Sequence, residues 1–251
     1  MSGTVYLVGA GPGAVDLLTL RAARLLGEAE IVFHDALVPD TILALARQAE
    51  QIAVGKRSGR HSTAQRFINK RLADAARKHR IVVRLKGGDP LLFGRAQEEI
   101  AYLRSQGIAV EVVPGVTAAL AAAADLGVSL TQRGRARSVA FVTPRVGVGE
   151  PASTWVRTVL AADTAAIYMG AGDAPHIAQA LIDAGKPAAT PVAVIENASL
   201  PEARTLRGTL AELPHLAAQL GGGPVLIVLG EVLRALASAA QPATLRTRQA
   251  R

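Results

Sequence analysis

Two glycine-rich segments follow short apolar runs, and each could bring the backbone close to a bound molecule. The first is GAGPG at residues 9–13, and the second is KGGDPLLFGR at residues 86–95. In the second segment, Gly87 and Gly88 favour a tight turn, and Asp89 adds a carboxylate. Glycine lets a ligand approach the backbone, and a nearby helix start favours polar or anionic groups. Because ligands of open α/β sheets bind at the carboxyl ends of strands, we expect both turns to face one crevice.

The first turn resembles a dinucleotide-binding fingerprint, with Asp35 where a ribose-binding acid would follow the second strand. The spacing argues against that interpretation. Gly13 comes one position too early for G-x-G-x-x-G, and Pro12 lacks the N–H that would bind a pyrophosphate. By itself the motif leaves two alternatives open, a tight strand-to-helix turn and a nucleotide-like ligand.

A third candidate is the basic loop GKRSGRHS at residues 55–62, which follows a predicted strand. Its positively charged or titratable members are Lys56, Arg57, Arg60 and His61. Such a loop suits an anionic small molecule, and a solvated charged surface is the alternative. The net charge of +8 could indicate nucleic acid, but the aromatic residues needed for base stacking are only 3% of the chain. We therefore predict no nucleic-acid partner.

Composition restricts the compartment and the chemistry. The 251 residues are 50% hydrophobic, which is enough for a sizeable core. The longest apolar stretch, residues 116–124, is far shorter than the roughly 20 residues of a membrane-spanning helix. The chain has no cysteine, and its five histidines lack metal-ligand spacing. With no export leader recognisable in MSGTVYLVGAGPG, we predict a soluble cytoplasmic protein without a membrane segment or a metal site.

The elements that position these residues alternate between strand and helix patterns in the first half. Predicted strands are residues 5–8, 31–34, 51–54, 81–85 and 110–113. Apolar helical faces at residues 17–26 and 67–76 would cover them, and an alanine-rich helix follows Pro114 and Gly115. This order predicts an α/β fold with a mostly parallel first sheet.

The second half predicts a separate sheet. Its predicted strands are residues 138–142, 165–169, 191–196, 204–209 and 225–229, with helices at residues 174–184 and 213–220. A short polar link between the third and fourth of these strands predicts a hairpin, and so a mixed sheet. We expect an N-terminal α/β domain at residues 1–113, a C-terminal α/β domain at residues 114–236, and a basic, disordered tail at residues 237–251.

Taken together, the motifs carry a specific resemblance. VYLVGAGPG, HDALV, VGKRSGRHS, VVRLKGGDPLLFGR and VPGVTAA occur in this order, followed by LTQRG, AIYMG, PVAVIENAS and VLIVLGEV. In order and spacing they resemble the tetrapyrrole methylase family, and within it the members that act on uroporphyrinogen III. The resemblance covers roughly residues 4–233. It implies two αβα domains and assembly as a homodimer.

The resemblance also implies a reaction. Family members of this kind transfer methyl groups from S-adenosylmethionine to two ring carbons of uroporphyrinogen III. The products are precorrin-2, for cobalamin or sirohaem biosynthesis, and S-adenosylhomocysteine. The family's proton acceptor falls on Asp35 and its proton donor on Lys56. Its cofactor contacts fall on Pro12, Gly87, Gly88, Asp89, Leu92, Thr117, Ala118, Met169 and Ala198.

The roles implied for these residues are consistent with the chemistry of methyl transfer to a pyrrole. A pyrrole carbon that takes up a methyl group leaves positive charge on its ring, which the carboxylate of Asp35 could stabilise or relieve by accepting a proton. The alternative for Asp35 is a turn or cap residue, and for Met169 it is core filling. The tetrapyrrole bears eight carboxylates, so basic residues are candidate substrate contacts. These candidates are Arg57, Arg60, His61, Arg84 and Lys86.

Departures from the family pattern fall outside the predicted cofactor contacts. They are Ala96 and Gln97 after Gly-Arg, Gln132, Pro144 with Arg145, and Glu202. They concern the substrate and whether both methylations occur. Three alternatives stay open at this point: a methylase of a later precorrin, an NAD-dependent dehydrogenase, and a tetrapyrrole-binding protein that has lost turnover.

Overall fold

The computed structural model describes residues 2–54, 65–147, 149, 151 and 153–237. The chain divides into two compact units, Met1–Ala118 and Ala119–Arg251. This division falls at 118/119, whereas the sequence analysis placed it at 113/114. Apart from Ala237, the predicted tail lies outside the described residues.

The described part of the first unit contains one five-stranded sheet. Its strands are β1 (Thr4–Gly9), β2 (Ile31–His34), β3 (Glu50–Ala53), β4 (Ile81–Lys86) and β5 (Ala109–Val113). Its helices are α1 (Leu20–Glu28), α2 (Asp40–Leu43), α3 (Gln65–Ala76) and α4 (Ala96–Ser105). The strand order is β3-β2-β4-β1-β5, and every neighbouring pair is parallel. The predicted parallel sheet is confirmed.

Side-chain alternation along the strands separates two apolar layers in this unit. On one face, Val82 of β4 packs in a cluster with Leu72 of α3 and Leu103 of α4. On the opposite face, Val83 packs with Leu26 of α1. Both faces of the sheet are therefore covered, as continuous apolar strands of parallel sheets require. Along β4 this alternation also places Arg84 and Lys86 on the α3 and α4 side.

The second unit holds another five-stranded sheet among its described residues. Its strands are β6 (Val139–Val142), β7 (Thr164–Tyr168), β8 (Pro191–Glu196), β9 (Arg204–Thr209) and β10 (Val225–Gly230). Its helices are α5 (Ala118–Leu126), whose first residue belongs to the first unit, and α6 (Trp155–Ala161), α7 (Ala174–Asp183), α8 (Leu213–Ala218) and α9 (Arg234–Ala237). The order is β6-β7-β10-β8-β9. Only β6 and β7 pair in parallel, and β8 and β9 are antiparallel neighbours. The predicted mixed sheet and hairpin are confirmed.

Across the ranges that the structure describes, no helix combines the length and apolar character needed to cross a membrane.

Candidate active site at the carboxyl edge of the first sheet

The two glycine-rich turns lie side by side. They follow β1 and β4, which are neighbours in the sheet. The N–H of Gly88 donates to the carbonyl oxygen of Gly11 at 2.7 Å, and the N–H of Gly11 donates back to Gly88 at 3.2 Å. The N–H of Ala10 donates to the carbonyl oxygen of Lys86 at 2.7 Å. The two turns therefore lie together at one edge of the sheet, and the expectation that they face one crevice stays a prediction.

A third backbone segment, after β5, presses against both turns. A Cβ atom on Gly9 would lie 2.6 Å from Gly115 Cα and 2.7 Å from the carbonyl oxygen of Gly88. A Cβ atom on Gly115 would lie 2.3 Å from the same oxygen. Real Cβ atoms do not approach backbone this closely, so packing alone demands glycine at both positions.

Gly87 is different, because no contact among the described residues requires glycine there. Within that part of the chain, a Cβ atom would meet only Leu37 Cβ, at an ordinary contact distance of 3.9 Å. Gly87 is not one of the glycines that have a positive φ angle, and it is exposed. Open space therefore lies over the backbone of Gly87, at the tip of the second turn.

Asp89 fastens the second turn to the segment after β5. Its Oδ2 atom accepts the N–H of Gly115 at 3.0 Å, and its Oδ1 atom accepts the N–H of Leu91 at 2.8 Å. Both carboxylate oxygens thus hold backbone in place, which is a structural role that the sequence analysis did not assign. A cofactor contact by Asp89 stays a prediction.

Left-handed backbone at non-glycine residues occurs at one predicted cofactor contact and next to two others. In the described chain these residues have φ angles of 53° to 73°, and they are Phe93, Arg95, Met169, Asn197 and Ser199. Phe93 follows Leu92 directly, and Met169 is itself a predicted contact. Asn197 and Ser199 flank Ala198. Side chains in this region of φ are strained, and such strain concentrates at functional sites.

In the second unit, Met169 directly follows β7 and does not fill the core. The residue is 49% exposed, so the core-filling alternative fails. Ala198 is buried in the loop after β8. The N–H of Ser199 in this loop donates to Asp125 Oδ2 of α5 at 2.8 Å, and that of Asn197 donates to the carbonyl oxygen of Pro224 at 2.9 Å. The loop is held from both sides.

Arg84 and Lys86 are not placed as the sequence analysis expected. They are 2% and 3% exposed, because the alternation of β4 turns both side chains toward α4. There the carboxylate of Glu99, which is 0% exposed, accepts from Arg84 Nε at 3.1 Å and from Lys86 Nζ at 3.1 and 3.2 Å. Both cations are already neutralised within the protein, so neither presents its charge to a substrate at the surface.

The far end of the Arg84 guanidinium holds Asp35. Its NH2 nitrogen donates to Asp35 Oδ1 at 2.5 Å, and its NH1 nitrogen donates to the carbonyl oxygen of Leu85 at 3.2 Å. The Asp35 side chain is 32% exposed, and no described residue hydrogen-bonds its Oδ2 atom. The N–H of Val38 donates to the Asp35 carbonyl oxygen at 3.2 Å, which makes a turn after β2. One carboxylate oxygen is thus fixed, and solvent reaches the group.

Lys86 carries the clearest electrostatic perturbation in this network. Burial lowers the pKa of its ammonium group, and the neighbouring Arg84 lowers it further. Glu99 and Asp35 oppose that shift because their negative charges favour the protonated amine.

Some predicted positions cannot be placed. Lys56, Arg57, Arg60 and His61 lie outside the described residues. Among the departures from the family pattern, Ala96 is buried at the start of α4, whereas Gln97, Gln132, Arg145 and Glu202 are exposed.

The residue that the sequence analysis missed is Glu99. It lies on the same helical face as Ala96, Ile100 and Leu103, all of which are buried. A carboxylate on an apolar face needs a buried partner, and the alternation of β4 supplies two cations. These two patterns together could have identified the network.

The amino-acid sequence is similar to a known protein family and to several curated proteins. Residues 4–214 match the model of the Tetrapyrrole (Corrin/Porphyrin) Methylases. A siroheme synthase of Chromobacterium violaceum is 48% identical over 234 residues, which are 92% of this chain and 50% of that protein. A siroheme synthase of Azotobacter vinelandii is 47% identical with the same coverage of both chains. The chain thus spans about half the length of these curated relatives.

Solved structures match over nearly their whole length. The native uroporphyrin III C-methyl transferase of Thermus thermophilus has a TM-score of 0.82 and 40% identity, covering 96% of this chain and 98% of that one. A structure of the Thermus thermophilus enzyme complexed with S-adenyl homocysteine has a TM-score of 0.82 and 42% identity, covering 93% and 100%. A cobalt precorrin-4 methyltransferase is 28% identical, with a TM-score of 0.81 and coverage of 92% and 95%.

Proposed function

Because the chain belongs to the tetrapyrrole methylase family, we propose that it methylates uroporphyrinogen III at two ring carbons with S-adenosylmethionine. The products are precorrin-2 and S-adenosylhomocysteine, which places the chain in cobalamin or sirohaem biosynthesis. The observation that carries this proposal is the match over 93% of this chain to the Thermus thermophilus enzyme complexed with S-adenyl homocysteine. That comparison involves the whole of the other chain, so it does not depend on the longer siroheme synthases.

The first unit offers a backbone platform that fits the proposed cofactor. The turns are joined by backbone hydrogen bonds between Gly11 and Gly88, and no side chain of the described residues closes the space over Gly87. The proposed contacts in this unit are Pro12, Gly87, Gly88, Asp89, Leu92, Thr117 and Ala118. In the second unit they are Met169, which is exposed and left-handed, and Ala198, which is flanked by two left-handed residues. S-adenosylmethionine supplies an activated methyl group on a sulfonium, and the protein's task is to hold the acceptor carbon in line with it.

Asp35 is the proposed proton acceptor. The methylated pyrrole ring carries positive charge until a proton is lost, and a carboxylate nearby stabilises that charge and takes the proton. Arg84 holds one oxygen of Asp35, and solvent reaches the side chain, so the carboxylate is both fixed and accessible. Lys56 is the proposed proton donor.

Substrate carboxylates are proposed to pair with Arg57, Arg60 and His61 of the basic loop. For Arg84 and Lys86 the buried network supports a different role, behind Asp35 rather than against the substrate. A homodimer and a cytoplasmic location are further proposals, supported by the resemblance and the composition.

A methylase of a later precorrin is the second candidate. It is favoured by the likeness to the cobalt precorrin-4 methyltransferase, whose TM-score of 0.81 nearly equals that of the Thermus thermophilus enzyme. Sequence identity separates them, at 28% against 40%. The dehydrogenase alternative ends with the family assignment.

Anaerobic incubation with S-adenosylmethionine and, in separate reactions, uroporphyrinogen III and a later precorrin tests the proposal. We expect methylated product and S-adenosylhomocysteine only with uroporphyrinogen III. Methylation of the later precorrin alone would establish the second candidate. Binding of cofactor and tetrapyrrole without any product would establish the non-catalytic alternative.

A further inference from the structure

Glu99 is a fully buried carboxylate that the proposed reaction does not use directly. It lies on the apolar face of α4, one turn from the left-handed residue Arg95 at the start of that helix. Desolvating a carboxylate is costly unless its charge is paired and its lone pairs are hydrogen-bonded. Its presence at this position therefore requires an account.

Three side chains donate to Glu99, and together they fix its position. Arg84 Nε and Gln65 Nε2 donate to Oε1 at 3.1 and 3.0 Å, and Lys86 Nζ donates to both oxygens. Gln65 also donates to Asn69 Oδ1 at 3.0 Å, so α3 supports the network from a second side. The carboxylate is consequently held by β4 and by α3 while it is itself anchored in α4.

Arg84 connects Glu99 to Asp35. A guanidinium is planar and rigid, so a bond at Nε determines where the NH2 nitrogen points. In this chain Nε binds Glu99 and NH2 binds Asp35 Oδ1. The orientation that Glu99 imposes on one end of the guanidinium is transmitted to the other end.

Charge balance links the same four groups. Arg84 and Lys86 are two buried cations, and Glu99 and Asp35 are the carboxylates that pair with them. Without the charge of Glu99, both cations would depend on Asp35, and its carboxylate would be drawn inward from its accessible position.

We propose that Glu99 is a positioning residue for the methyl-transfer reaction, acting through Arg84 to set where Asp35 holds its carboxylate. It does not touch the substrate. The proposal rests on the proposed role of Asp35 as proton acceptor, and the test below separates the two.

The first measurement compares kcat and KM of Glu99→Gln with those of the unmodified chain. We expect kcat to fall by about 10- to 100-fold, which is the scale of a small misplacement of a reacting group. KM for uroporphyrinogen III and the Kd of S-adenosylhomocysteine should change by less than about twofold, because Glu99 contacts neither ligand. A loss of cofactor affinity equal to the loss of kcat would contradict the proposal.

A double-mutant cycle then asks whether the effect passes through Asp35. Adding Glu99→Gln to Asp35→Asn should lower kcat by less than about twofold, because the acceptor is already absent. A general structural role would give the same factor in both backgrounds, and that result would overturn the proposal.

Two further variants guard against misfolding and against a simple charge effect. Arg84→Lys keeps the charge but cannot bridge both carboxylates, so it should show the same loss of kcat. It serves as the test if Glu99→Gln does not fold. Glu28→Gln removes a carboxylate from the exposed pair with Arg24 on α1, and it should leave kcat unchanged. Thermal unfolding with and without S-adenosylhomocysteine checks that each variant is folded. Unchanged kcat in a folded Arg84→Lys variant would overturn the proposal.

The outcomes distinguish this proposal from the proposed function. If the unmodified chain does not methylate uroporphyrinogen III, the proposed function is wrong, and this proposal is wrong with it. If Asp35→Asn has a normal kcat, the acceptor role of Asp35 is wrong, and this proposal again is wrong with it. This proposal alone is wrong if three results occur together. The unmodified chain methylates uroporphyrinogen III, Asp35→Asn turns over slowly, and Glu99→Gln lowers kcat by the same factor with and without Asp35→Asn.

Discussion

Gly87→Ala should impair cofactor binding without impairing the fold. Among the described residues beyond its chain neighbours, the added Cβ atom would meet no atom closer than Leu37 Cβ at 3.9 Å, and the backbone conformation does not require glycine. The free energy of unfolding should therefore stay the same or rise by about 0.4–1 kcal/mol, because alanine restricts the unfolded chain. The methyl group would instead occupy the space that we assign to the ligand.

The binding penalty follows from the cost of overpacking. One extra methyl group in a filled site costs about 1–3 kcal/mol. At 1.4 kcal/mol for each factor of ten, the Kd of S-adenosylhomocysteine should rise by about 5- to 150-fold. Titration calorimetry measures the Kd, and thermal unfolding without ligand measures stability.

A control separates this effect from a general consequence of replacing glycine. Gly27 lies in α1, and apart from its own helix backbone and chain neighbours no atom of the described residues would lie within 4 Å of a Cβ atom there. Gly27→Ala should stabilise the helix by up to about 1 kcal/mol and leave the Kd unchanged. If Gly87→Ala bound S-adenosylhomocysteine as tightly as Gly27→Ala does, the assignment of the second turn to the cofactor would be refuted.

Three other substitutions test separate parts of the account. Gly115→Ala should lower the free energy of unfolding by about 1–3 kcal/mol, since its Cβ atom would lie 2.3 Å from the Gly88 carbonyl oxygen, and denaturant unfolding would show this. Asp35→Asn should reduce kcat by about 10²- to 10⁴-fold while the Kd of S-adenosylhomocysteine stays within about twofold; weaker binding with normal kcat would exclude the acceptor role. Because burial lowers the pKa of Lys86 in the folded chain, the unfolded chain binds more protons between that pKa and 10.5, so stability from this group rises with pH across the window. Lys86→Met should flatten that rise in pH-dependent unfolding, and an unchanged slope would contradict the shift.

Much of the fold could be predicted from local sequence. The bounds of β2, β8 and β9 agree with the predicted strands, because each apolar or alternating run is bordered by turn residues. The short helices α2, α6 and α9 were not predicted. They span only 4, 7 and 4 residues, and tertiary packing rather than periodicity stabilises helices of that length.

The unit boundary depends on contacts that the sequence does not display. Residues 114–118 were expected to open the second domain, but they lie in the first unit. The bond from Gly115 to Asp89 and the close approach of Gly115 to Gly9 tie this segment to the first sheet.

Only part of the candidate site could be predicted from the sequence, because some of its features depend on contacts between distant residues. The glycine turns have recognisable motifs, and the parallel sheet necessarily brings them to one edge. The burial of Arg84 and Lys86 depends on a carboxylate from a helix more than ten residues away, so charge clustering along the sequence suggested substrate contacts but could not show that both side chains are buried. Left-handed backbone at Met169 and beside Ala198 is likewise invisible in residue types.

The mass of the tetrapyrrole product tests the central claim most directly. The chain is incubated anaerobically with uroporphyrinogen III and excess S-adenosylmethionine, and the product is analysed by mass spectrometry. The account predicts a product heavier than uroporphyrinogen III by two CH2 units, because each methyl group gained at a ring carbon is balanced by the loss of one proton. Two molecules of S-adenosylhomocysteine should form for each molecule of product. The account would be contradicted if the chain is folded and binds S-adenosylhomocysteine but leaves uroporphyrinogen III unmethylated.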